Sequence, residues 1–276
     1  MCSGRTVRGM SVGVVGVGQM GLPIACRLLE QGESVVFRAR RAEVAAALTR
    51  LGGLGAESLE GVADACDVVI VCVYDDQQVR DVCLGRHGLL GLLSPGSVLI
   101  NHTTCDPNTV ASMAQRAEAC GVSVLDAALS GSPVDISEGH LTLWVGGRAD
   151  LLQRVQPILR SYGDPIIHVG DVGAGQWVKL VNNALFAANA ALVAQAEHIL
   201  SQVGLTPVQA LEAIEHGSGA SRALGLVVRL GGTEALRSAA GPFIRKDLVT
   251  VMRAAVKGQV ELGILAEVAE SMGEQA

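Results

Sequence analysis

The chain has 276 residues, a formal net charge of −6 and a pI of about 5.5. Hydrophobic residues make up 49% of it and charged residues 17%, which argues against an intrinsically disordered chain and supplies a sizeable core. The acidic balance and the low aromatic content of 3% argue against a nucleic-acid-binding protein, which usually presents a basic face.

Strands and helices alternate through the first part of the chain, as in a doubly wound parallel sheet. The sequence predicts strands at 11–15, 34–37, 66–74, 97–101 and 123–127, separated by helices at 22–30, 42–51, 75–82 and 106–119. Two further strands, 139–147 and 165–169, flank a helix over 150–161. Ligands of such sheets lie at the carboxyl ends of the strands.

A stretch without glycine or proline, residues 176–203, predicts one long helix. Everything after it reads as helical, over 207–215, 222–230, 243–262 and 263–271. We therefore expect a Rossmann-type α/β domain over residues 1–172 and an all-α domain over 173–276, joined by a long interdomain helix. The long helix and the apolar C-terminal part also predict a homodimer or homotetramer.

The remaining compositional signals concern location and metals. The first ten residues lack the apolar segment of a secretory signal and are expected to form a loose leader. No run of about 18 uncharged apolar residues predicts a membrane span. Seven cysteines and six histidines show neither a disulfide framework nor metal-ligand spacing. We expect a cytoplasmic protein that acts on a small molecule, with no metal, membrane or nucleic-acid partner.

A G-x-G-x-x-G motif, formed by Gly16, Gly18 and Gly21, lies between the first strand and the first helix. Gly16 permits the tight turn, Gly18 lets a pyrophosphate approach the backbone, and Gly21 lets the helix pack close to the sheet. Gln19 and Met20 complete the turn. The helix N-terminus then offers N–H groups to the phosphates, so the motif predicts a dinucleotide cofactor. The alternative is an ordinary glycine-rich turn without a ligand.

Cofactor preference is predicted at the end of the second strand. An NAD site usually places an acidic residue there, whereas this chain has Arg38, Arg40 and Arg41 and no carboxylate before Glu43. Guanidinium groups suit a 2′-phosphate through planar, charge-assisted hydrogen bonds. We therefore predict NADP, with NAD possible. The alternative is that the three arginines form a solvated surface cluster.

Lys179 and Asn183 stand four residues apart in an otherwise apolar run, so they share one face of the predicted helix. In an interdomain cleft, such a pair could bind a hydroxyl or carbonyl oxygen and exchange its proton. The alternative is a solvated helix face. Two further segments, 101–104 and 126–132, follow strands and could contact a nicotinamide and a substrate oxygen. Their alternatives are a helix-capping turn and a plain Ser/Gly loop.

Together these segments resemble the β-hydroxyacid dehydrogenase family, which includes 3-hydroxyisobutyrate dehydrogenase, tartronate semialdehyde reductase and, more distantly, 6-phosphogluconate dehydrogenase. The resemblance covers nearly the whole chain. Residues 16–21 resemble the cofactor motif, 126–131 the substrate segment D-A-P-V-S-G-G, 173–183 the catalytic segment G-x-G-x-x-x-K-x-x-N-N, and 243–248 the late K-D-L segment.

The resemblance implies a role for each matching residue. Lys179 would be the catalytic acid/base, and Asn183 would help to hold the substrate. Ser130 and Gly131 would bind the substrate carboxylate. The residues assigned to the cofactor beyond the glycine motif and the arginines are Val73, Thr104 and Lys246.

The chain departs from the family pattern around the substrate segment. Ser132 replaces the second glycine, and the loop that follows carries Pro133, Asp135 and Glu138. Two carboxylates in that loop would repel an acidic substrate or recognise a cationic one. The usual Asn-Arg after the second strand appears as residues 39–40, Ala-Arg.

These observations predict an NADP-preferring dehydrogenase or reductase that interconverts a small 3-hydroxy acid, or a related alcohol, and its aldehyde or ketone. Lys179 would exchange the hydroxyl proton without a metal. One alternative is an imine reductase on the same scaffold, although those enzymes generally lack the catalytic lysine. A second alternative is a non-catalytic NADP-binding module.

Overall fold

The computed structural model describes residues 10–267, except the side chains of Pro242 and Phe243. Most of the predicted leader therefore lies outside the described residues, and so does the end of the predicted helix 263–271. The described chain forms two compact units that divide between Lys179 and Leu180. The domain boundary expected between residues 172 and 173 stays a prediction.

The first unit is built on an eight-stranded sheet of order β3-β2-β1-β4-β5-β6-β7-β8. All neighbouring strands are parallel except β6 and β7, which are antiparallel. The strands are β1 (Val12–Val15), β2 (Val35–Arg38), β3 (Leu54–Gly55), β4 (Val68–Val71), β5 (Val98–Asn101), β6 (Ser123–Ser130), β7 (Leu141–Gly146) and β8 (Gly163–Gly170). The Rossmann-type sheet expected from the alternation is confirmed.

Helices cover both faces of this sheet, and this explains the continuous apolar runs of its central strands. Residues Val12 and Val14 of β1 face one hydrophobic core and Val15 faces the other, as the two-residue period of a strand requires. The helices are α1 (Gly21–Glu30), α2 (Ala42–Arg50), α3 (Leu59–Ala65), α4 (Asp76–Val79), α5 (Leu89–Leu92), α6 (Pro107–Ala119), α7 (Pro133–Glu138) and α8 (Ala149–Leu159).

Several short elements were not expected from the sequence. They are β3, α3, α5 and α7, together with a π-helical turn at Arg80–Leu84 that continues α4. Each spans seven residues or fewer, which is too short for hydrophobic periodicity to stand out. The strand expected over 66–74 is also shorter, because only Val68–Val71 pair with both neighbours. The residues that follow Val71 form a loop at the carboxyl edge of the sheet.

The second unit is helical and has a core of its own. Helix α9 (Ala174–Gln202) enters it, and α10 (Pro207–Glu215), α11 (Arg222–Leu230) and α12 (Thr233–Gly258) follow. Apolar side chains from all four helices, Val193, Leu211, Val227 and Leu236 among them, pack in one cluster. The long helix expected over 176–203 is confirmed within two residues of each end.

The sequence-based start of the last long helix, at residue 243, is wrong. The backbone of α12 is helical from Thr233 onward and continues through Gly241 and Pro242. Proline removes one N–H bond and costs about 3 kcal/mol inside a helix. Burial of Leu236 before this point and of Leu248 after it stabilises the helix on both sides.

By length and composition alone, the described chain contains one helix that could cross a membrane, α9, and 28% of its most apolar window is buried. Core helices of soluble proteins pass the same test. The expectations of a cytoplasmic location and of no membrane partner stay predictions.

Candidate cofactor and active site

The glycine turn after β1 forms a cradle that side chains would fill. Gly16 has a φ of +94°, and a Cβ atom there would collide with the backbone of Cys72. A Cβ atom on Gly21 would collide with the carbonyl oxygen of Gly16. A Cβ atom on Gly18, by contrast, would meet no atom within 4 Å. The outer glycines are required by packing, and Gly18 leaves open space above the backbone, which fits the approach of a pyrophosphate.

The start of α1 is suited to an anion. No side chain caps this helix, whose N-cap residue is Met20. Leu22 N donates to Gly18 O at 3.0 Å and residue 23 is a proline, so the backbone N–H groups that face a phosphate are those of the turn before Leu22. Gln19 is exposed at the turn, whereas Met20 packs partly against the core beneath the sheet. The turn therefore presents backbone donors and one polar side chain, and the arrangement fits a dinucleotide phosphate.

The three predicted phosphate-binding arginines lie at the end of β2. Arg38 is partly buried, and its Nε atom is buried without a hydrogen-bond partner among the described residues. Arg40 is exposed, and Arg41 lies 3.8 Å from Glu43 with 61% of its side chain exposed. An unsatisfied buried guanidinium nitrogen next to two exposed arginines fits an anionic group on the cofactor.

Two loops meet beside the glycine cradle. The Thr103 hydroxyl accepts a hydrogen bond from Val73 N at 2.9 Å and donates one to Val73 O at 3.2 Å. The Asn101 side chain closes a small ring by donating to Thr103 O at 3.0 Å. Asn101 and Thr103 are thus buried and engaged in fixing the loop, whereas Thr104 is partly exposed. The residue that caps α6 is Asp106, which lies outside the segment 101–104, so the cap gives no support to the helix-capping alternative for these four residues.

A buried carboxylate fixes the start of the helix that carries Lys179. Asp126 is fully buried and accepts hydrogen bonds from Gly173 N at 2.6 Å and Gln176 N at 2.8 Å. The chain approaches so closely that a Cβ atom on Gly175 would lie 2.8 Å from Asp126 Oδ2. Burial raises the pKa of Asp126 to about 6, against the lowering effect of these backbone hydrogen bonds.

The anchoring role of Asp126 was missed from the sequence. The only signal was a charged residue inside an apolar strand, and its partners lie 47 and 50 residues away. Gln176 extends the anchor, because its Oε1 atom accepts a hydrogen bond from Cys105 N at 2.9 Å. Lys179 follows Gln176 by three residues on α9 and is partly buried.

In the second unit, a buried carboxylate connects two residues that were predicted separately. Asp247 is 7% exposed and accepts a hydrogen bond from Asn183 Nδ2 at 2.5 Å. Its other oxygen lies 3.1 Å from Lys246 Nζ. Asn182 donates to Asn183 Oδ1 at 3.0 Å, so both ends of the Asn183 amide are engaged. Asp247 received no role in the sequence analysis, although it is the acidic residue of the late K-D-L segment.

The described structure divides the predicted site residues between the two units. The glycine cradle, the arginines, Val73, Thr104, Ser130, Gly131 and Lys179 belong to the first unit, and Asn183 and Lys246 belong to the second. Among residues 10–267, no three His, Cys, Asp or Glu side chains come together as metal ligands would.

A buried histidine–tyrosine pair supports the loop that carries Thr104. His102 Nδ1 lies 2.5 Å from Ala127 O, and His102 Nε2 lies 2.8 Å from Tyr162 Oη. A carbonyl can only accept, so Nδ1 donates to it and Tyr162 donates to Nε2. Burial lowers the pKa of His102 to about 4, and the imidazole is neutral at pH 7.

This shift predicts a measurable pH dependence of stability. A lowered pKa stabilises the fold above the ordinary value of about 6.5, and this contribution is lost as the pH falls toward 4. We therefore expect the fall in the free energy of unfolding between pH 7 and pH 4.5 to be about 2 kcal/mol smaller for His102→Asn than for the wild type. Urea unfolding of both proteins at the two pH values measures the difference.

Asp126 contributes with the opposite sign. Its raised pKa gives stability that is present below about 3.8 and lost as the pH rises through about 6. This contribution is common to the wild type and His102→Asn, so it cancels in the comparison. Parallel pH dependences of the two proteins would contradict the assignment of a neutral His102.

Models of known protein families match both the N-terminal and the C-terminal part of the chain. The family model described as the NAD binding domain of 6-phosphogluconate dehydrogenase matches residues 11–170. The model described as NAD-binding of NADP-dependent 3-hydroxyisobutyrate dehydrogenase matches residues 173–276. The 3-hydroxyisobutyrate dehydrogenase of Pseudomonas aeruginosa is 33% identical over 96% of this chain and 92% of its own length. The 2-(hydroxymethyl)glutarate dehydrogenase of Eubacterium barkeri is 34% identical over 79% of this chain and 72% of its own length.

Solved structures share the fold. Mycobacterium tuberculosis 3-hydroxyisobutyrate dehydrogenase, determined with L-serine, superposes with a TM-score of 0.84 at 24% identity, covering 97% of this chain and 94% of that one. An imine reductase from Myxococcus stipitatus has a TM-score of 0.67 at 18% identity, covering 97% and 94%.

The sheet, the glycine cradle and these matches define an NAD(P)-dependent oxidoreductase that acts on the CH–OH group of hydroxyacids. The chain belongs to the β-hydroxyacid dehydrogenase family and is of the 3-hydroxyisobutyrate dehydrogenase type.

Proposed function

We propose that this protein is an NADP-preferring dehydrogenase that interconverts a small 3-hydroxy acid, or a related alcohol, and its carbonyl form. Lys179 exchanges the proton of the substrate hydroxyl, and Asn183 helps to hold the substrate. The bound nicotinamide supplies or accepts the hydride. A cationic lysine polarises the substrate oxygen, so the proposed reaction needs no metal.

The anchoring of α9 is the observation that carries this proposal. The ends of four strands stand in register, because Val15 pairs with Val71, Val71 with Asn101, and Asn101 with Asp126. Asp126 therefore ties the start of the lysine helix to the same sheet edge that carries the glycine cradle. Carboxyl edges of parallel strands are where such sheets bind ligands.

The substrate-segment residues lie on the continuation of β6 beyond this edge. Ser130 ends β6, pairs with Thr142 and is partly exposed. Gly131 follows it with a φ of +141° and is exposed. We assign the hydroxyl of Ser130 and the backbone at Gly131 to the end of the substrate that does not react.

A substrate screen tests the proposal. NADPH and NADH oxidation would be followed at 340 nm with glyoxylate, succinic semialdehyde and tartronate semialdehyde, and NADP reduction with 3-hydroxyisobutyrate, 3-hydroxypropionate and L-serine. Turnover of at least one compound is expected, faster with NADPH or NADP. Turnover of a cyclic imine but of no hydroxy or carbonyl compound would favour the imine-reductase alternative. NADPH binding without any turnover would favour the non-catalytic module.

We further propose that the protein is a homodimer or homotetramer. Leu185, Leu192 and Ile199 follow one another at seven-residue spacing on α9 and are 50%, 67% and 50% exposed. This spacing places them on one face of the helix, where a second copy would cover them.

Leu192→Glu tests the proposed interface, because a carboxylate there would have to be desolvated on association. Sedimentation velocity is expected to show an oligomer for the wild type and a smaller species for Leu192→Glu. Leu51→Glu, at a leucine of the first unit that is 48% exposed, is the matched control and should leave the oligomer intact. A wild type that sediments only as a 28.5 kDa species would contradict the proposal.

A further inference from the structure

The loop that follows β6 lies beyond the part of the sheet that holds Asp126. Strand β6 continues for four residues after its last pairing with β5 and ends at Ser130. Ser130 therefore stands roughly 13 Å past Asp126 along the strand. Gly131 and Ser132 come next, and both are exposed. This loop is the part of the chain to which the proposed function assigns the non-reacting end of the substrate.

One carboxylate covers the backbone of this loop. Asp135 Oδ2 accepts a hydrogen bond from Ser132 N at 2.6 Å and another from Ser132 Oγ at 2.7 Å. The same oxygen would lie 2.9 Å from a Cβ atom on Gly131. These contacts form the capping box of α7, in which Ser132 is the N-cap and Asp135 is the third helical residue.

The capping box has a chemical consequence for a ligand at this loop. The Ser132 N–H would be a natural donor for an incoming carboxylate, but Asp135 already uses it. Asp135 also places a negative charge within a few ångströms of that position, and like charges at this range repel each other. Uncharged polar groups lose little by comparison, since Ser130 and the carbonyl groups of the loop can still form hydrogen bonds with them.

We propose that Asp135 is a specificity-determining residue that disfavours a carboxylate at the Ser130–Ser132 loop. The substrate group held there is then an uncharged polar one, such as a carboxamide, on a hydroxy compound of the proposed type. This inference rests on the proposed function for the placement of the substrate. Within the hydroxyacid class, it selects derivatives whose carboxyl group is uncharged, such as amides, over the free acids.

A pair of matched ligands tests the proposal without turnover. The NADPH-loaded protein would be titrated with 3-hydroxypropionate and with 3-hydroxypropionamide, which differ only in charge at one end, and binding followed by the change in NADPH fluorescence. The wild type is expected to bind the amide at least as tightly as the acid. Asp135→Ala should shift the affinity ratio toward the acid by about tenfold or more, because it removes the charge and frees the Ser132 N–H.

Two further variants separate the effect of removing the Asp135 charge from the effect of freeing the Ser132 N–H. Asp135→Asn removes the charge but keeps an acceptor for the Ser132 N–H, so its ratio should fall between those of the wild type and Asp135→Ala. Glu138→Gln removes a charge from the same loop at a residue with a 60% exposed side chain that the capping box does not include, and it should leave the ratio within about twofold. NADPH affinity and thermal melting of each variant report whether the first unit is folded.

Each outcome of these titrations either supports the proposal or overturns it. A wild type that prefers the acid by tenfold would overturn the proposal, as would an Asp135→Ala variant with an unchanged ratio. Failure of every protein to bind either compound would also overturn it, because the proposal requires the amide to bind. The proposed function fails separately, in the turnover screen, so a shifted binding ratio in a protein without turnover would reject the function and keep the role of Asp135.

Discussion

Replacing Lys179 with alanine is expected to lower kcat by about 10²–10⁴-fold, the usual effect of losing a general acid/base. The residue is partly buried on α9, close to the Asp126 anchor and far in sequence from the glycine turn. NADPH affinity should therefore stay within about threefold of the wild type. Single-turnover kinetics with the best substrate from the screen would measure the chemical step directly.

Lys179→Arg separates proton transfer from charge. Arginine keeps the positive charge but does not release its proton at working pH. If Lys179 transfers the proton, the arginine variant should be nearly as slow as the alanine variant. If it only polarises the substrate oxygen, arginine should restore much of the rate.

Lys257→Ala is the matched control, because Lys257 is an exposed lysine near the end of α12. Its kcat should equal that of the wild type. A Lys179→Ala variant with kcat within tenfold of the wild type would reject the proposed mechanism, whatever the behaviour of Lys257→Ala.

The parts of the site that could be predicted from the sequence are those whose chemistry is local. A Cβ atom on Gly21 would collide with the carbonyl oxygen of Gly16 in the same turn, and the spacing of the two glycines predicts this geometry. The contacts of Asp126, His102 and Thr103 are different, because each joins segments 25 to 60 residues apart. Hydrophobic periodicity identifies a polar residue near the end of a strand, but it does not identify the residue that forms a hydrogen bond with it.

Two other features were within reach of the sequence but were not extracted. Ser132 and Asp135 form an S-x-x-D pattern after a strand, which is a signature of a helix start, yet the segment was interpreted as a Ser/Gly loop and an acidic loop. Around Gly241-Pro242 the error is the opposite one, because the sequence predicts a helix start at residue 243, inside what is one longer helix. There, packing on both sides of the proline overrides the local preference, and only tertiary structure can show such an override.

Replacing Arg40 and Arg41 together with serine is expected to lower kcat/KM for NADPH by about 10²-fold and to change kcat/KM for NADH by less than about threefold. Each charge-assisted hydrogen bond to a phosphate contributes about 1.5–3 kcal/mol, and the two contributions are not fully additive because the residues are adjacent. NADH lacks the 2′-phosphate, so it loses little. Initial rates at saturating substrate give kcat/KM for NADPH and for NADH, in the wild type and in the double variant.

Arg38 is tested with a more conservative substitution, because it is partly buried at the end of β2. Arg38→Lys keeps the charge but removes the Nε–H, the donor that has no partner within the described structure. If this donor serves the 2′-phosphate, Arg38→Lys should lower kcat/KM for NADPH by about tenfold and leave NADH unaffected. A role in the fold alone would lower stability and affect both cofactors equally.

Arg50→Ser is the control for the loss of positive charge, since Arg50 is exposed at the end of α2 and its Nε donates to Ala46 O within the same helix. Its cofactor ratio should match that of the wild type. Equal efficiency of the wild type with NADPH and NADH, or a preference for NADH, would contradict the NADP prediction. In that case the arginines would be a solvated cluster, and the double variant should change neither cofactor's kcat/KM by more than about threefold, since exposed charges away from a ligand contribute little.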